Sequence, residues 1–400
     1  MEGEMKNMQQ EQLQSYTDLY RKNLLEDVIP FWGKYSIDWE QGGYFTCLDQ
    51  NGKVYDTDKF IWLQARQVWT FSMMYNRVEK RENWLKIAEN GISFLKKYGR
   101  DENGNFYFSM TRAGKPLTHA FNIYSDCFAA LAFGEYAKAT GEEESYDIAK
   151  KTYRQFLIRR DKPKGKFEKA TSNRPMKSFG LPMMTAYLSY ELEGIANPEK
   201  NKKIFEDCVD QIFEVHYNPK TKIIHEYVSP TGQFVDTYEG RLINPGHGIE
   251  AMWFSMDIAE KLERPDLIKK ATDVCLQILE YGWDKEHGGI FYFMDAKDAP
   301  LQQLEWNQKL WWVHQEALIA LSKAYLHTQR KDVWAWYEKV HRYAWQHFSD
   351  PENGEWFGYL NQQGKPHTTL KGGKWKGCFH TPRAMYECWQ NFEKMTKQNQ

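Results

Sequence analysis

Three histidines, His247, His314 and His380, each open an apolar helical stretch at the same phase of a long repeat. An imidazole with an unperturbed pKa of ~6.5 takes or gives a proton near neutral pH, so general acid–base chemistry is the natural reading. One such histidine alone is ordinarily a cap or a hydrogen-bonded core residue. Three at equivalent places in a repeating fold point at one cavity. His247 is followed at i+3 by Glu250, one turn on and on the same helix face, where a carboxylate can fix the imidazole tautomer. His380 has Arg383 at the same spacing, a fixed cation able to hold a substrate oxygen. Glu316 follows His314 by two and begins the apolar face of its helix. Arg66 sits inside the apolar run WLQARQVW, where a cation must be paired or face a polar cavity. The histidines come from different repeats and show no ligand spacing, so no metal is expected. A phosphate-cradling G-x-x-x-x-G-K-[ST] and a Gly-x-Ser-x-Gly are both absent, which argues against a P-loop enzyme and a serine hydrolase.

The elements that must position these residues recur along the chain. A polar turn with Asp, Asn and Gly precedes a short aromatic strand, a second turn and strand follow, and a long apolar helix comes next. WEQGGYFTCLDQNGKVYD leads into FIWLQARQVWTFSMMYN, and GRDENGNFYFSMTRAGKP into FNIYSDCFAALAFGEYAK. GKFEKATSNRPMK is a weaker third copy, and three more follow with helices opening at His247, His314 and His380. Arg66, Tyr124, Met183, His247, His314 and His380 mark equivalent points, spaced 58 to 67 residues apart. That period suits one hairpin plus two helices per unit, and amphipathic segments such as WLKIAENGISFLKKYG supply the second helix. Six such units predict an all-α fold, an (α/α)6 barrel. It is a six-fold toroid of helix hairpins, with the inner helices apolar on most sides and short β-hairpins gathered at one rim. No Pro-, Gly- or Ser-rich linker interrupts the pattern, so residues 1–400 are expected as one domain with a polar N-terminal extension of about residues 1–14.

With 53 Lys plus Arg against 54 Asp plus Glu, the net charge of -1 gives no electrostatic reason to expect nucleic acid or an anionic membrane as partner. No run of apolar residues is long enough to span a bilayer. Six scattered cysteines without a C-x-x-C pair read as reduced core thiols. The polar start MEGEMKNMQQEQLQ has no apolar signal segment, and a cytoplasmic location is expected. Aromatic residues make up 16% of the chain, more than a core needs, and suit a pocket that stacks on sugar faces.

The segments NPGHGIEAMWF, WWVHQEALIAL and KGGKWKGCFHTPR resemble the signature segments of the N-acylglucosamine 2-epimerases, also known as renin-binding proteins. FIWLQARQVWTF and FGLPMMTAYL match further family segments, and the resemblance runs from about residue 15 to 395. It implies the same six-fold helix-pair barrel and the interconversion of N-acetylglucosamine and N-acetylmannosamine without a metal or required cofactor. Carried over by position, it puts the two proton-transferring histidines at His247 and His380. Sugar-holding residues fall at Arg66, Glu250, Glu316, Trp62, Trp311 and Arg383, with His314 beside them. The resemblance also implies that nucleotides such as ATP act as non-consumed activators in some members, and that members are often homodimers. No segment here places a nucleotide site. Wider relatives, the cellobiose 2-epimerases and aldose–ketose isomerases, share His247, His380 and Arg66 but carry a histidine where this chain has the methionines of GLPMMTAYL. That departure favours the N-acyl branch. Two rivals remain: a glycoside hydrolase using Glu250 and Glu316 as its carboxylate pair, and a non-enzymatic binding protein.

Overall fold

The computed structural model describes residues 2–119, 123–161, 174–195 and 198–398. The chain begins with α1 (Glu2–Lys22), runs through a π-helical turn (Asn23–Val28) into α2 (Ile29–Tyr35), and then reaches α3 (Ile61–Arg77) and α4 (Glu82–Tyr98). Next come α5 (Tyr124–Thr140), α6 (Glu143–Asp161), α7 (Gly180–Glu191), α8 (Pro198–Asp210) and the short α9 (Tyr238–Arg241). α10 (Pro245–Lys261), α11 (Pro265–Gly282), α12 (Trp311–Thr328), α13 (Lys331–Phe348) and α14 (His380–Gln398) complete the order. Among the described residues, no helix is long and apolar enough to cross a membrane.

Six antiparallel partnerships follow: α3 with α4, α5 with α6, α7 with α8, α10 with α11, α12 with α13, and α14 with α1. The last joins the two ends of the chain. α3, α5, α7, α10, α12 and α14 pack against one another in that order, and Thr70 Oγ1 on α3 donates to the carbonyl of Cys378 just before α14 (2.8 Å). The inner helices carry apolar residues all round because neighbours cover every side. Ser125–Ala137 and Trp311–Tyr325 are buried without interruption. Outer helices keep one charged face, as in α11, where Leu267, Ala271, Val274, Cys275 and Ile278 are buried at helical spacing. One cluster of buried apolar residues runs from Leu13 to Met395. Leu13 falls within the expected polar extension, yet it is buried on α1, so the extension ends earlier. All six cysteines are buried free thiols.

At one end short strands link neighbouring units. Lys59–Phe60, which leads into α3, pairs with Ser109–Met110 of the next unit. Lys177–Ser178 pairs with Tyr227–Val228, Leu242–Ile243 with Met294–Asp295, and Lys309–Leu310 with Tyr359–Leu360. The sixth unit returns to the first, where Lys371 N and Gly372 N both donate to Leu48 O. Most of the third turn, residues 162–173, lies outside the described residues.

The turns themselves share a device. Asp38 caps its turn through Oδ1 to the amides of Glu40 and Gln41, while its Oδ2 accepts from buried Lys59 Nζ (2.9 Å). Asp284 with Lys309, and Asp350 with Lys371, repeat the arrangement at 2.8 and 2.7 Å. Each lysine precedes an inner helix, so the buried pair ties the hairpin to the helix start. Breaking such a pair leaves an uncompensated charge, a cost of about 3–5 kcal/mol. Gly289 follows Asp284 at φ +76°, and a Cβ there would meet the Tyr343 ring at 2.6 Å. That turn therefore needs glycine for both its dihedral and its packing.

Candidate active site

A cavity of about 650 Å³ opens beneath the hairpin end, lined by the starts of the inner helices and by rim loops. His247 reaches it because Asn244 caps α10, its Oδ1 accepting from the His247 amide (3.2 Å), with Pro245 at the first helical position. Gly246 leaves room for a tryptophan: a Cβ there would lie 2.7 Å from the Trp312 ring. His380 opens α14 directly after a glycine-rich loop. Glu355 fastens that loop, accepting from Lys376 Nζ (2.9 Å) and from the Thr381 hydroxyl (2.9 Å).

The two imidazoles are held alike, but their pKa values move in opposite directions. His247 Nδ1 lies 3.1 Å from both oxygens of Glu226, and the side chain is a third exposed. Burial pulls the His247 pKa down, but the Glu226 carboxylate more than offsets this and leaves it raised. His380 Nδ1 lies 2.7 Å from Glu316 Oε1. Burial, then the positive charges of Arg66 and Arg383, press the His380 pKa well below the ordinary value. A carboxylate at Nδ1 holds a proton there and leaves Nε2 as the free ring nitrogen of each. The Trp312 ring contacts both imidazoles, at 5.4 Å from His247 and 5.7 Å from His380.

Arg66 is a half-buried cation without a carboxylate partner among the described residues. Its guanidinium lies 4.0 Å from the ring centre of Phe128, 4.4 Å from Trp62 and 4.6 Å from Phe379. Nε makes no hydrogen bond. Burial first and Arg383 second lower its pKa to about 9, so it stays charged at neutral pH. An unpaired cation lining a cavity is costly to the apo fold and favours an oxygen anion. Trp62 and Trp311 also line the cavity with their rings, while their indole N–H groups are buried and make no hydrogen bond.

Several expected roles change. Glu250 lines the cavity but does not orient His247; its Oε1 accepts from Arg383 Nη2 at 2.6 Å. Glu226, just before the strand Tyr227–Val228, takes that position instead. The polar Glu inside KIIHEYV was the available signal. Glu316 is fully buried, with Oε1 on His380 and Arg383 and Oε2 on Trp253 Nε1 (2.8 Å). It positions His380 and does not line the cavity, so it meets no sugar. Arg383 lines the cavity, but its Nη2 bridges the two glutamates. His314 does not reach the cavity: Nε2 accepts from Ile290 N (2.9 Å), Nδ1 meets Leu310 O (2.8 Å), and the ring stacks on Tyr343. Burial lowers its pKa to about 3, so it is a neutral core residue joining hairpin to helix. Trp312, absent from the expected set, packs against both imidazoles. Glu250, Glu316 and His380 do bring ligand-type atoms within 4.8 Å of one another, but the Arg383 guanidinium already supplies the cation between the two carboxylates.

The chain is similar to known proteins in both fold and sequence. The chain shares its fold with a cellobiose 2-epimerase from Bacillus thermoamylovorans (TM-score 0.81, 22% identity, 94% of this chain and 99% of that one). A family 76 glycoside hydrolase (mannosidase) from Bacteroides thetaiotaomicron is a more distant structural match (TM-score 0.60, 13% identity, 96% and 100% covered). In sequence the chain is 39% identical to the mouse N-acylglucosamine 2-epimerase, over 92% of this chain and 89% of that protein. The N-acylglucosamine 2-epimerase (GlcNAc 2-epimerase) family profile matches residues 43–384. The chain belongs to the N-acylglucosamine 2-epimerase family.

Proposed function

We propose that this protein is a sugar 2-epimerase that interconverts N-acetylglucosamine and N-acetylmannosamine, on a single (α/α)6-barrel domain acting in the cytoplasm. The observation that carries the reading is the pair of imidazoles pinned at Nδ1 by carboxylates, both against Trp312 and beside an unpaired Arg66. Epimerisation starts from the open-chain aldehyde, whose carbonyl acidifies the C2–H bond. Neutral His380 removes that proton through Nε2, and the C–H electron pair becomes the C1–C2 double bond of a 2-acylamino enolate. The charge collects on O1, where Arg66 stabilises it. His247, kept protonatable by Glu226, returns a proton to the opposite face as the double bond reverts to the carbonyl. The reverse direction exchanges the two roles.

Glu316 positions His380, and Glu226 positions His247. Trp62 and Trp311 offer ring faces for the sugar to stack on. The mechanism needs no metal or cofactor. The hydrolase rival loses support because Glu250 and Glu316 share one arginine, and Glu316 is buried off the cavity, where it cannot serve as acid or nucleophile.

Incubating the protein with N-acetylmannosamine in D2O and separating the products tests the reading. N-acetylglucosamine carrying deuterium at C2 is expected, because the transferred proton equilibrates with solvent on the imidazoles. Faster turnover of unacylated mannose or of cellobiose would overturn the N-acyl assignment in favour of the isomerase or cellobiose-type branch.

A further inference from the structure

A closed sugar ring has no carbonyl to acidify C2–H, so a group in the cavity must first open it by taking the proton of the O1 hydroxyl. That group has to be a base at neutral pH. His247 and His380 are the bases of the C2 step. Burial foremost raises the phenol pKa values of Tyr124, Tyr292 and Tyr359, which line the cavity as donors and not as bases. Two carboxylates remain, Glu250 and Glu305. Glu305 is exposed on a rim loop. Glu250 stands among the reacting groups: burial leads in lowering the pKa at Arg66, His247 and His380 alike, and the Glu250 charge opposes it at all three. Arg66 is the cation that suits O1. Arg383 Nη2 fixes Glu250 Oε1 at 2.6 Å, whereas Oε2 makes no hydrogen bond among the described residues. The Glu250 side chain keeps 8% of its surface open, and it lines the cavity. One oxygen is anchored and the other can take a proton.

Building on the epimerase reading, we infer that Glu250 opens the sugar ring, and that the protein therefore also catalyses the exchange of the α and β anomers of its substrate. Oε2 takes the proton of the O1 hydroxyl, and the O1–H electron pair becomes the second bond of the C1=O1 carbonyl. The C1–O5 pair leaves with O5, which takes a proton from His247 Nε2. Rotation about C1–C2 and closure by the reverse steps give the other anomer, with no net change in either side chain. When the ring stays open, solvent water relays the proton from the Glu250 carboxyl to His247, since an imidazole is ordinarily the stronger base. Both groups are then restored, and His247 again carries the proton it returns to C2.

The test follows both reactions by NMR. The α anomer of N-acetylglucosamine, freshly dissolved with the protein, should reach its α/β equilibrium faster than in buffer. Glu250→Gln should lose roughly 10²-fold or more of that acceleration, the contribution of a positioned acid–base group. Because the substitution also loosens Arg383 beside His380, a second measurement separates ring opening from damage at C2. The aldehyde 2-acetamido-3-hydroxybutanal has no hydroxyl placed to close a ring, so it needs no opening. In D2O, the rate of C2 exchange on N-acetylglucosamine divided by that on this aldehyde should fall roughly 10²-fold or more in Glu250→Gln. The ratio is read within one variant, so a smaller folded fraction or a weakened His380 cancels. Wild-type protein that exchanges C2 without speeding anomer exchange, or a ratio unmoved in Glu250→Gln, would overturn this inference and leave the epimerase reading standing. If the wild type exchanges C2 of neither compound, the epimerase reading itself fails and this inference falls with it.

Discussion

The surroundings of His247 and His380 differ although each ring is held by one glutamate. Glu226 reaches His247 from a rim strand, and the imidazole keeps a third of its surface open. Glu316 reaches His380 from within an inner helix, and two guanidinium groups stand close enough to depress the imidazole. One carboxylate acts on a ring facing the cavity mouth and raises its pKa; the other is spent on Arg383 and Trp253 and cannot offset two cations. The same side-chain pairing thus gives a protonatable imidazole on one side of the substrate and a neutral one on the other. A base and an acid are available together at neutral pH, which two identical histidines in identical surroundings would not provide.

The largest effect is expected from removing either ring. His247→Asn or His380→Asn should lower kcat/KM by roughly 10²–10⁴-fold, the contribution of a positioned acid–base group. In D2O each variant should still wash deuterium into the one epimer whose proton faces the remaining histidine, with the other epimer barely formed. Exchange into opposite epimers by the two variants would assign a face to each ring. Near wild-type turnover in both would make the histidines structural and end the comparison.

A smaller and more selective effect is expected from Glu226→Gln. The carboxylate raises the His247 pKa against the pull of burial, so its loss leaves burial to lower it. The protonated fraction of His247 at a given pH then falls. In the direction in which His380 abstracts the proton and His247 donates, the alkaline limb of the pH–rate profile should move to lower pH. In the reverse direction, where His247 is the base, the acid limb should also move to lower pH. The loss at the optimum should stay below the roughly 10²-fold expected for removing an acid–base group. A profile unchanged in both limbs would mean that Glu226 does not set the charge of His247.

The sequence made the repeat legible because its turns and apolar helices recur in chain order and each carries its own periodicity. It also located His247, His380 and Arg66, whose types are out of place at apolar helix starts. What it missed depends on contacts between units. Glu250 lies at the right spacing from His247, yet Arg383 arrives from α14 and takes it. Glu226 sits next to a two-residue strand whose partner, Lys177–Ser178, belongs to the preceding unit, so its polarity within KIIHEYV stands out but nothing local says that it meets His247. His314 has the phase of its two counterparts, but in the fifth unit the amide of Ile290 meets the ring. Equivalence in the repeat therefore holds for the backbone and breaks at this side chain.

The smallest expected effect concerns the buried side of the comparison. Glu250, Glu316 and His380 gather atoms of the kind that ligate metals, and a dication there would make His380 a ligand instead of a base. The Arg383 guanidinium argues otherwise. Its Nη2 lies 2.6 Å from Glu250 Oε1 and 2.7 Å from Glu316 Oε1, so an incoming cation would have to displace it. Arg66 adds a second positive charge whose field already acts on His380, and a divalent ion would be repelled by both. Prolonged EDTA treatment followed by gel filtration should therefore leave kcat/KM within about twofold, a change no larger than that between independent sites. Loss of activity restored by a divalent metal would overturn this account of the His380 side, because the charge that depresses His380 would then come from an ion. His247 and Glu226 lie outside that cluster, so the pH-limb shift in Glu226→Gln would still stand under that outcome and would show which half of the comparison had failed.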